Sequence, residues 1–97
     1  MLVRLNSTLR GRAGWKDMHL DLAAGAAVQD ALAAVVVRAP VLHDALLDET
    51  GGLRDDIVVF HNGRNIRFKQ GVRTPLAIAD ELDIFPKTGA QRAFARD

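Results

Sequence analysis

The chain of 97 residues contains no cysteine, and this absence excludes several kinds of chemistry. A disulfide framework, a thiolate metal site and a cysteine nucleophile all require a thiol. A chain without cysteine fits the reducing cytoplasm, so we expect a cytoplasmic protein.

The chain also has almost no net charge and few aromatic residues. Thirteen basic residues stand against twelve acidic ones, which gives a net charge of +1, and aromatic residues make up only 5% of the chain. A nucleic-acid-binding protein normally has a clear cationic excess to neutralise phosphates, and aromatic rings on which bases stack. We therefore expect no nucleic-acid partner.

Long hydrophobic runs are missing as well. The most apolar stretch, residues 31–37, is far shorter than the roughly 20 residues that cross a bilayer. Residues 1–5 alternate apolar and polar, unlike the basic start and unbroken apolar core of a signal peptide. We expect no membrane association. The length suits one domain, and 48% apolar residues are enough to form its core.

Motifs that carry catalysis are absent too. The chain has no nucleophile elbow, Walker loop or dinucleotide fingerprint. His19, His43 and His61 are scattered, which argues against zinc, and we interpret them as surface or half-buried side chains. The adjacent pair Asp55-Asp56 is interpreted as solvated loop charge. The sequence predicts a protein that is not an enzyme and binds no metal or cofactor.

The first half of the chain does show regular patterns. Alternating residues predict strands over 2–9 and 15–22, joined by a glycine-bearing turn at 10–14 into an N-terminal hairpin. Helical spacing runs from Ala26 to Ala39 and ends at Pro40, because a proline disfavours helix in the residue before it. A shorter helix is predicted over 41–47, followed by a loop at 48–52.

The second half is predicted to be mostly strands. The β-branched run 57–60 predicts a buried strand, Asn62-Gly63 a tight hairpin turn, and 65–68 the return strand. An irregular connection around 71–76, with room for one 3₁₀ turn, leads to a last strand over 82–85. Together these elements predict an α+β fold with a mixed sheet of about five strands, one main helix on one face and a short second helix. Residues 1–86 form the predicted domain, and residues 87–97, which lack periodicity, a flexible C-terminal tail.

One ordered set of motifs resembles a known family. It consists of Phe60-His61-Asn62-Gly63-Arg64-Asn65-Ile66-Arg67-Phe68, Gly71, Thr74-Pro75-Leu76, Asp80-Glu81 and Ile84-Phe85-Pro86, with supporting similarity at 24–32 and 51–54. The set is similar to the MoaD/ThiS family of sulfur-carrier proteins, which includes the small subunit of molybdopterin synthase. The resemblance implies a β-grasp (ubiquitin-like) fold in which the first and last strands lie side by side in the centre.

The resemblance also implies a function. In such carriers an ATP-dependent adenylyltransferase of the ubiquitin-activating type activates the carboxylate of a tail that ends in Gly-Gly. The carboxylate then becomes a thiocarboxylate or an isopeptide. Sulfur donor and acceptor enzymes would be further partners, in a pathway to molybdopterin, thiamine, cysteine or thiolated tRNA.

The tail departs from the family pattern. The family's glycine pair falls on Ala90-Gln91 or, shifted by one residue, on Gly89-Ala90, and neither register gives Gly-Gly. We take Thr88, Gly89 and Ala90 as the candidate site of activation or processing. A peptidase could trim the tail after Gly89 or Ala90, or the domain could have lost carrier function and serve as an interaction module. Use of the terminal Asp97 itself is the least favoured alternative.

Four residues are candidates for partner binding. Phe85 and Lys87 adjoin the tail, and Phe85 either faces the open side of the sheet or packs under the helix. Arg64 and Arg67 belong to a basic cluster with Lys69 and Arg73, which is either a solubilising rim or a docking surface for an acidic partner such as the activating enzyme.

Overall fold

The computed structural model describes residues 1–15 and 17–87, so Lys16 and the predicted activation site at 88–90 lie outside the described residues. Within them the chain forms one sheet of five strands in the order β2-β1-β5-β3-β4. The strands are β1 (Leu2–Leu5), β2 (Asp17–His19), β3 (Ile57–His61), β4 (Arg64–Asn65) and β5 (Glu81–Pro86).

The two ends of the chain meet at the centre of the sheet. β1 pairs with β5 in parallel, from Leu2 opposite Glu81 to Leu5 opposite Ile84. β2 extends the sheet antiparallel to β1, and β3 pairs antiparallel with the other side of β5. The predicted central position of the first and last strands is thus confirmed.

The main helix covers one face of this sheet. α2 (Val28–Arg38) buries Val28, Ala31, Leu32 and Val35 against inward-facing strand residues such as Val59. The Asp30 carboxylate accepts a hydrogen bond from the Ala27 amide at 2.8 Å and so satisfies one free donor at the helix start. The helix predicted over 26–39 is confirmed with slightly tighter bounds. A 3₁₀ turn (Pro40–Leu42) and the short helix α3 (His43–Leu46) follow it.

The first predicted strand is too long. β1 ends at Leu5, and residues 8–13 form the helix α1 (Thr8–Ala13) rather than strand and glycine turn. Ser7 has a φ of +58°, which breaks the extended backbone, and the helix then directs Leu9 into the core. The predicted pairing of the first two strands is confirmed, but a helix joins them and β2 is shorter than the predicted 15–22.

The predicted return strand over 65–68 is also wrong. β4 contains only Arg64 and Asn65, and a 3₁₀ turn (Ile66–Phe68) replaces the rest. The Asn65 side chain accepts a hydrogen bond from the Arg67 amide at 3.0 Å, which curls the backbone and turns Ile66 into the core. A further 3₁₀ turn (Gly71–Arg73) lies in the irregular connection, as predicted.

Between residues 1 and 87, Lys16 aside, no helix has both the length and the apolar character to cross a bilayer.

Candidate site at the open sheet face and the tail exit

The face of the sheet opposite α2 carries an aromatic pair. Alternation along β3 buries Val59 under the helix and leaves Phe60 on the open face, and β5 places Phe85 beside it. The two rings lie 5.5 Å apart between centroids at an interplanar angle of 57°, a favourable tilted arrangement. Both side chains are half-buried. Of the two orientations that alternation allowed, Phe85 therefore adopts the open-face one.

A charged cluster lies on the same open face. The Arg4 guanidinium is 2.7 Å from Glu81 Oε1 and 3.4 Å from Asp83 Oδ2. These contacts raise the pKa of Arg4, with the hydrogen bond to Asp83 as the largest cause. The cluster gives the open face a polar half next to the aromatic half, a composition typical of protein interfaces.

The last strand ends at the start of β3. Pro86 lies opposite Ile57, and the Lys87 amide donates a 2.7 Å hydrogen bond to the Asp56 carbonyl. The Arg54 Nε atom lies 3.0 Å from Asp56 Oδ1. The Arg54 hydrogen bond is the first cause of a lowered pKa at Asp56, and the charge of Lys87 contributes in the same direction. The chain therefore leaves the domain beside Asp56, at the edge of the open face.

The structure separates the candidate partner-binding residues into two groups. Phe85 and Lys87 lie at the Ile57 end of β3. Arg64 lies opposite His61 at the other end of β3, and Arg67 follows in the next turn. Ile57 and His61 are four residue steps apart, which is about 13 Å at the usual rise per residue. The four predicted residues do not form one surface.

Sequence reasoning missed a hydrogen-bonded network at the Arg64 end. His61 is only 7% exposed, so its interpretation as a surface or half-buried histidine is wrong. Its Nε2 lies 2.8 Å from Asp80 Oδ2, and Lys69 Nζ lies 2.6 Å from its Nδ1. Because an ammonium group can only donate, Nδ1 accepts from Lys69 and Nε2 donates to Asp80. The available signal was the two-residue period, which places His61 on the buried face with Ile57 and Val59.

Asp80 stabilises the corner before the last strand through several hydrogen bonds. Its carboxylate accepts hydrogen bonds from His61, from the Ala77 amide at 2.8 Å and from Asn62 Nδ2 at 3.1 Å. These bonds, with that of His61 first, lower the pKa of Asp80 to about 2. Asn62 in turn accepts from the Glu81 amide at 2.9 Å, so it fixes the start of β5 besides forming the turn.

In the part of the chain that the structure describes, no three His, Asp or Glu side chains come together as a ligand set. The network at His61 consists of one histidine, one carboxylate and one lysine that are joined by hydrogen bonds.

Comparison with known proteins gives consistent results. The sequence model of the ThiS family matches residues 3–89. The crystal structure of SAMP1 from Haloferax volcanii superposes with a TM-score of 0.84 at 31% identity, covering 92% of this chain and 96% of that chain. The solution structure of the small archaeal modifier protein 1 from Methanosarcina acetivorans gives 0.80 at 31% identity, with 91% and 92% covered.

A bacterial complex contains a further similar chain. A chain of the BexX/CysO complex from Amycolatopsis orientalis matches with a TM-score of 0.77 at 26% identity, covering 91% of this chain and 96% of that chain. These neighbours are ubiquitin-like β-grasp proteins, which confirms the predicted fold class. Among proteins of curated function, no sequence matches significantly.

Proposed function

Because the chain belongs to the ThiS family, as its motifs predicted, we propose that it is a sulfur carrier that is activated at the end of its C-terminal tail. The observation that carries the proposal is the family match, which extends over nearly the whole domain to residue 89. Homology to ubiquitin-like carriers and modifiers of archaea and bacteria supports it.

The proposed chemistry takes place on a partner enzyme. An ATP-dependent adenylyltransferase joins AMP to the terminal carboxylate and releases pyrophosphate, and sulfide that a donor enzyme supplies then displaces AMP to give a thiocarboxylate. The carrier supplies a reachable carboxylate and no catalytic side chain, so in this proposal it is not itself an enzyme. Small residues near the terminus suit a narrow active-site channel, and this is the role proposed for Thr88, Gly89 and Ala90.

The geometry at the end of β5 supports this use of the tail. The Lys87 amide bonds to Asp56, and Phe85 stands beside that point with Phe60 on the open face. A half-buried aromatic pair gives an activating enzyme an apolar contact close to the tail. We propose Phe85 and Lys87 as the contacts that orient the tail.

Processing completes the proposal, because the tail lacks Gly-Gly. A peptidase that cuts after Gly89 or Ala90 would leave a small residue at the new terminus. The thiocarboxylate would then deliver sulfur to a cytoplasmic acceptor in molybdopterin, thiamine, cysteine or tRNA thiolation chemistry. All four use the same carrier chemistry, and the fold alone does not select among them.

The intact mass of the protein isolated from its native cells tests the proposal. We expect a species that ends at Gly89 or Ala90, with one sulfur in place of one terminal oxygen. In vitro, chains truncated at either residue should form the thiocarboxylate with ATP, sulfide and the activating enzyme of the same organism. Gly89→Asp should prevent it. Inert truncated chains, together with a single full-length native species, would contradict the proposal.

The missing glycine pair favours one alternative function. A β-grasp domain that has lost carrier chemistry would bind its partner through the sheet with the tail intact. Binding would then be unchanged after removal of residues 91–97, and no thiocarboxylate would form. A partner that is recovered only through a covalent bond to the C-terminus would exclude this alternative.

A further inference from the structure

The segment that follows the hairpin has an unusual charge balance. Residues 64–79 carry four cationic side chains and no acidic one. The rest of the chain has nine basic and twelve acidic residues, a net charge of −3. Although the net charge of the whole chain is near zero, residues 64–79 therefore form a basic region on an otherwise acidic molecule.

An exposed phenylalanine lies within this region. Phe68 is 78% exposed at the end of the 3₁₀ turn that follows β4. Arg64 and Arg67 lie in the same segment, and Arg73 lies in the next 3₁₀ turn, which packs against the first. We call these four residues the Phe68 patch. None of its three arginines forms an ion pair with any residue in 1–15 or 17–87, although arginines elsewhere, such as Arg4 and Arg54, do.

Phe68 is held in place by its neighbours. Ile66, two residues earlier, is buried, and the Lys69 amide closes the turn onto the Ile66 carbonyl at 3.0 Å. The Lys69 ammonium reaches the buried His61, which is bonded in turn to Asp80. A backbone fixed in such a turn loses less conformational entropy when Phe68 binds a partner than the backbone of a loose loop would.

From these features we propose that the Phe68 patch is a docking surface for a protein that presents acidic side chains around an apolar pocket. Phe68 fills the pocket and the three guanidinium groups pair with the surrounding carboxylates. Aromatic residues and arginine are the side chains that most often dominate the binding energy of interfaces. The patch lies at the other end of β3 from Lys87, so a partner can bind it without covering the point where the tail leaves the domain. This surface goes beyond the proposed function, because it does not depend on activation of the tail.

Other occupants fit these observations less well. The acidic remainder of the chain would repel the phosphates of a nucleic acid, and one exposed ring provides a single stacking position. The acidic surface of a second copy, around Asp48 and Glu49, offers complementary charge. However, a contact between two unlike surfaces of the same chain is heterologous, so it would build rings or filaments rather than a two-fold dimer.

Photocrosslinking from position 68 tests the proposal. The full chain, carrying benzoylphenylalanine in place of Phe68, is irradiated in soluble extract of its native cells, and the adducts are mapped by mass spectrometry. Val37 is the matched control position, because it is equally exposed at 78% but lies on α2. We expect an adduct at position 68 only, mapped to an acidic peptide of an identified protein and lost when Arg64, Arg67 and Arg73 are changed to Glu.

Every other crosslinking result would contradict the proposal. No adduct above the Val37 control would make the patch a solubilising rim, and a nuclease-sensitive adduct would assign it to nucleic acid. An adduct with a second copy would indicate self-association. A protein adduct that survives the charge reversal, or that maps to a peptide without acidic residues, would remove the electrostatic basis. Since activation of the tail is not part of the readout, failure here leaves the sulfur-carrier proposal standing.

Affinity for the crosslinked protein provides the quantitative check. Phe68→Ser should raise Kd by about tenfold or more, as expected for an aromatic anchor. Arg67→Glu should raise Kd more than Arg67→Lys, and added salt should weaken wild-type binding. Val37→Ser should leave Kd unchanged. Unfolding in urea should be the same for all of these exposed variants, and unchanged Kd for Phe68→Ser would refute the anchor.

Discussion

The two ends of β3 are held in different ways. At the hairpin end, the side chains of His61, Lys69 and Asp80 bond to one another in a mostly buried network. At the tail end, a backbone hydrogen bond joins Lys87 to Asp56, and the Arg54–Asp56 pair beside it is solvent-exposed. The hairpin end is fixed by specific side chains, whereas the tail end keeps side chains available for a partner. The contrast predicts that equivalent substitutions have unequal effects at the two ends.

The largest expected difference comes from removing one carboxylate at each end. Asp80→Ala leaves the buried His61 without its acceptor and frees the Ala77 amide and Asn62. We expect a loss of about 3 kcal/mol of unfolding free energy, the usual cost when a buried network loses a charged member. Asp56→Ala, the matched control, should cost far less, because exposed ion pairs contribute little. Urea unfolding measures both, and equal losses would remove the distinction between the ends.

Acid should remove the stabilisation that the Asp80 carboxylate gives to the hairpin end. The pKa of Asp80 is about 2 in the folded chain, below its ordinary 3.8, so the folded state favours the charged form. The resulting stabilisation, about 2 kcal/mol, is fully present above the ordinary pKa and is lost as the pH falls from about 4 to about 2. Urea unfolding at a series of pH values should show this loss.

Asp80→Asn tests whether the Asp80 carboxylate is responsible for the loss of stability in acid. Over the same pH range its stability should fall less steeply than that of the wild type. A slope identical to that of the wild type would mean that other carboxylates cause the loss.

A third contrast uses backbone conformation. Asn62 has a φ of +51°, and among the described non-glycine residues only Ser7 shares a positive value. Asn62→Ala and Asn62→Gly both remove the side-chain hydrogen bonds, but only alanine is strained at positive φ. We expect Asn62→Ala to be less stable than Asn62→Gly by about 1 kcal/mol.

The control is the same comparison of an alanine with a glycine variant at a residue of the tail end. At the exposed Asp55, where φ is not positive, the glycine variant should have no advantage over the alanine variant. A glycine advantage of equal size at both positions would show that the effect does not come from the hairpin backbone.

The smallest expected effect concerns the aromatic pair near the tail. In a double-mutant cycle with Phe60→Leu and Phe85→Leu, the coupling free energy should be about 0.5–1 kcal/mol, as for other tilted ring pairs. Phe85→Leu combined with the distant Val37→Ala should be additive. Additivity of the two phenylalanine substitutions would mean that the rings do not stabilise the fold through each other.

Much of the fold was predictable because its long elements carry strong periodic patterns. The stripe in α2 and the β-branched residues of β3 identified the main helix and the strand beside the centre of the sheet. α1 was missed because its six residues bury only Leu9, too few to show a period. The end of the return strand was missed because the Asn65 side chain bonds to the Arg67 amide, an interaction that no alternation reveals.

The candidate site was predictable only in part. Family motifs located Phe85 and Lys87, and strand alternation limited Phe85 to two orientations. The network at His61 depends on Lys69 and Asp80, which are distant in sequence from one another and meet only through the turns between β4 and β5. The sequence grouped Arg64 and Arg67 with Lys69 and Arg73, but only the register of β3 shows that they lie at the opposite end of this strand from Lys87.

The parallel pairing of β1 with β5 has a consequence for synthesis on the ribosome. β5 lies between β1 and β3, so the sheet stays in two pieces until residue 86 has left the exit tunnel. Contacts between residues so far apart in sequence form late, because the long intervening loop must close first. The sheet would therefore reach its native state only after β5 has been translated. The open face beside the tail exit includes Phe85 of β5, so it does not exist before this strand has joined the sheet. A partner that needs this face cannot recognise the tail earlier.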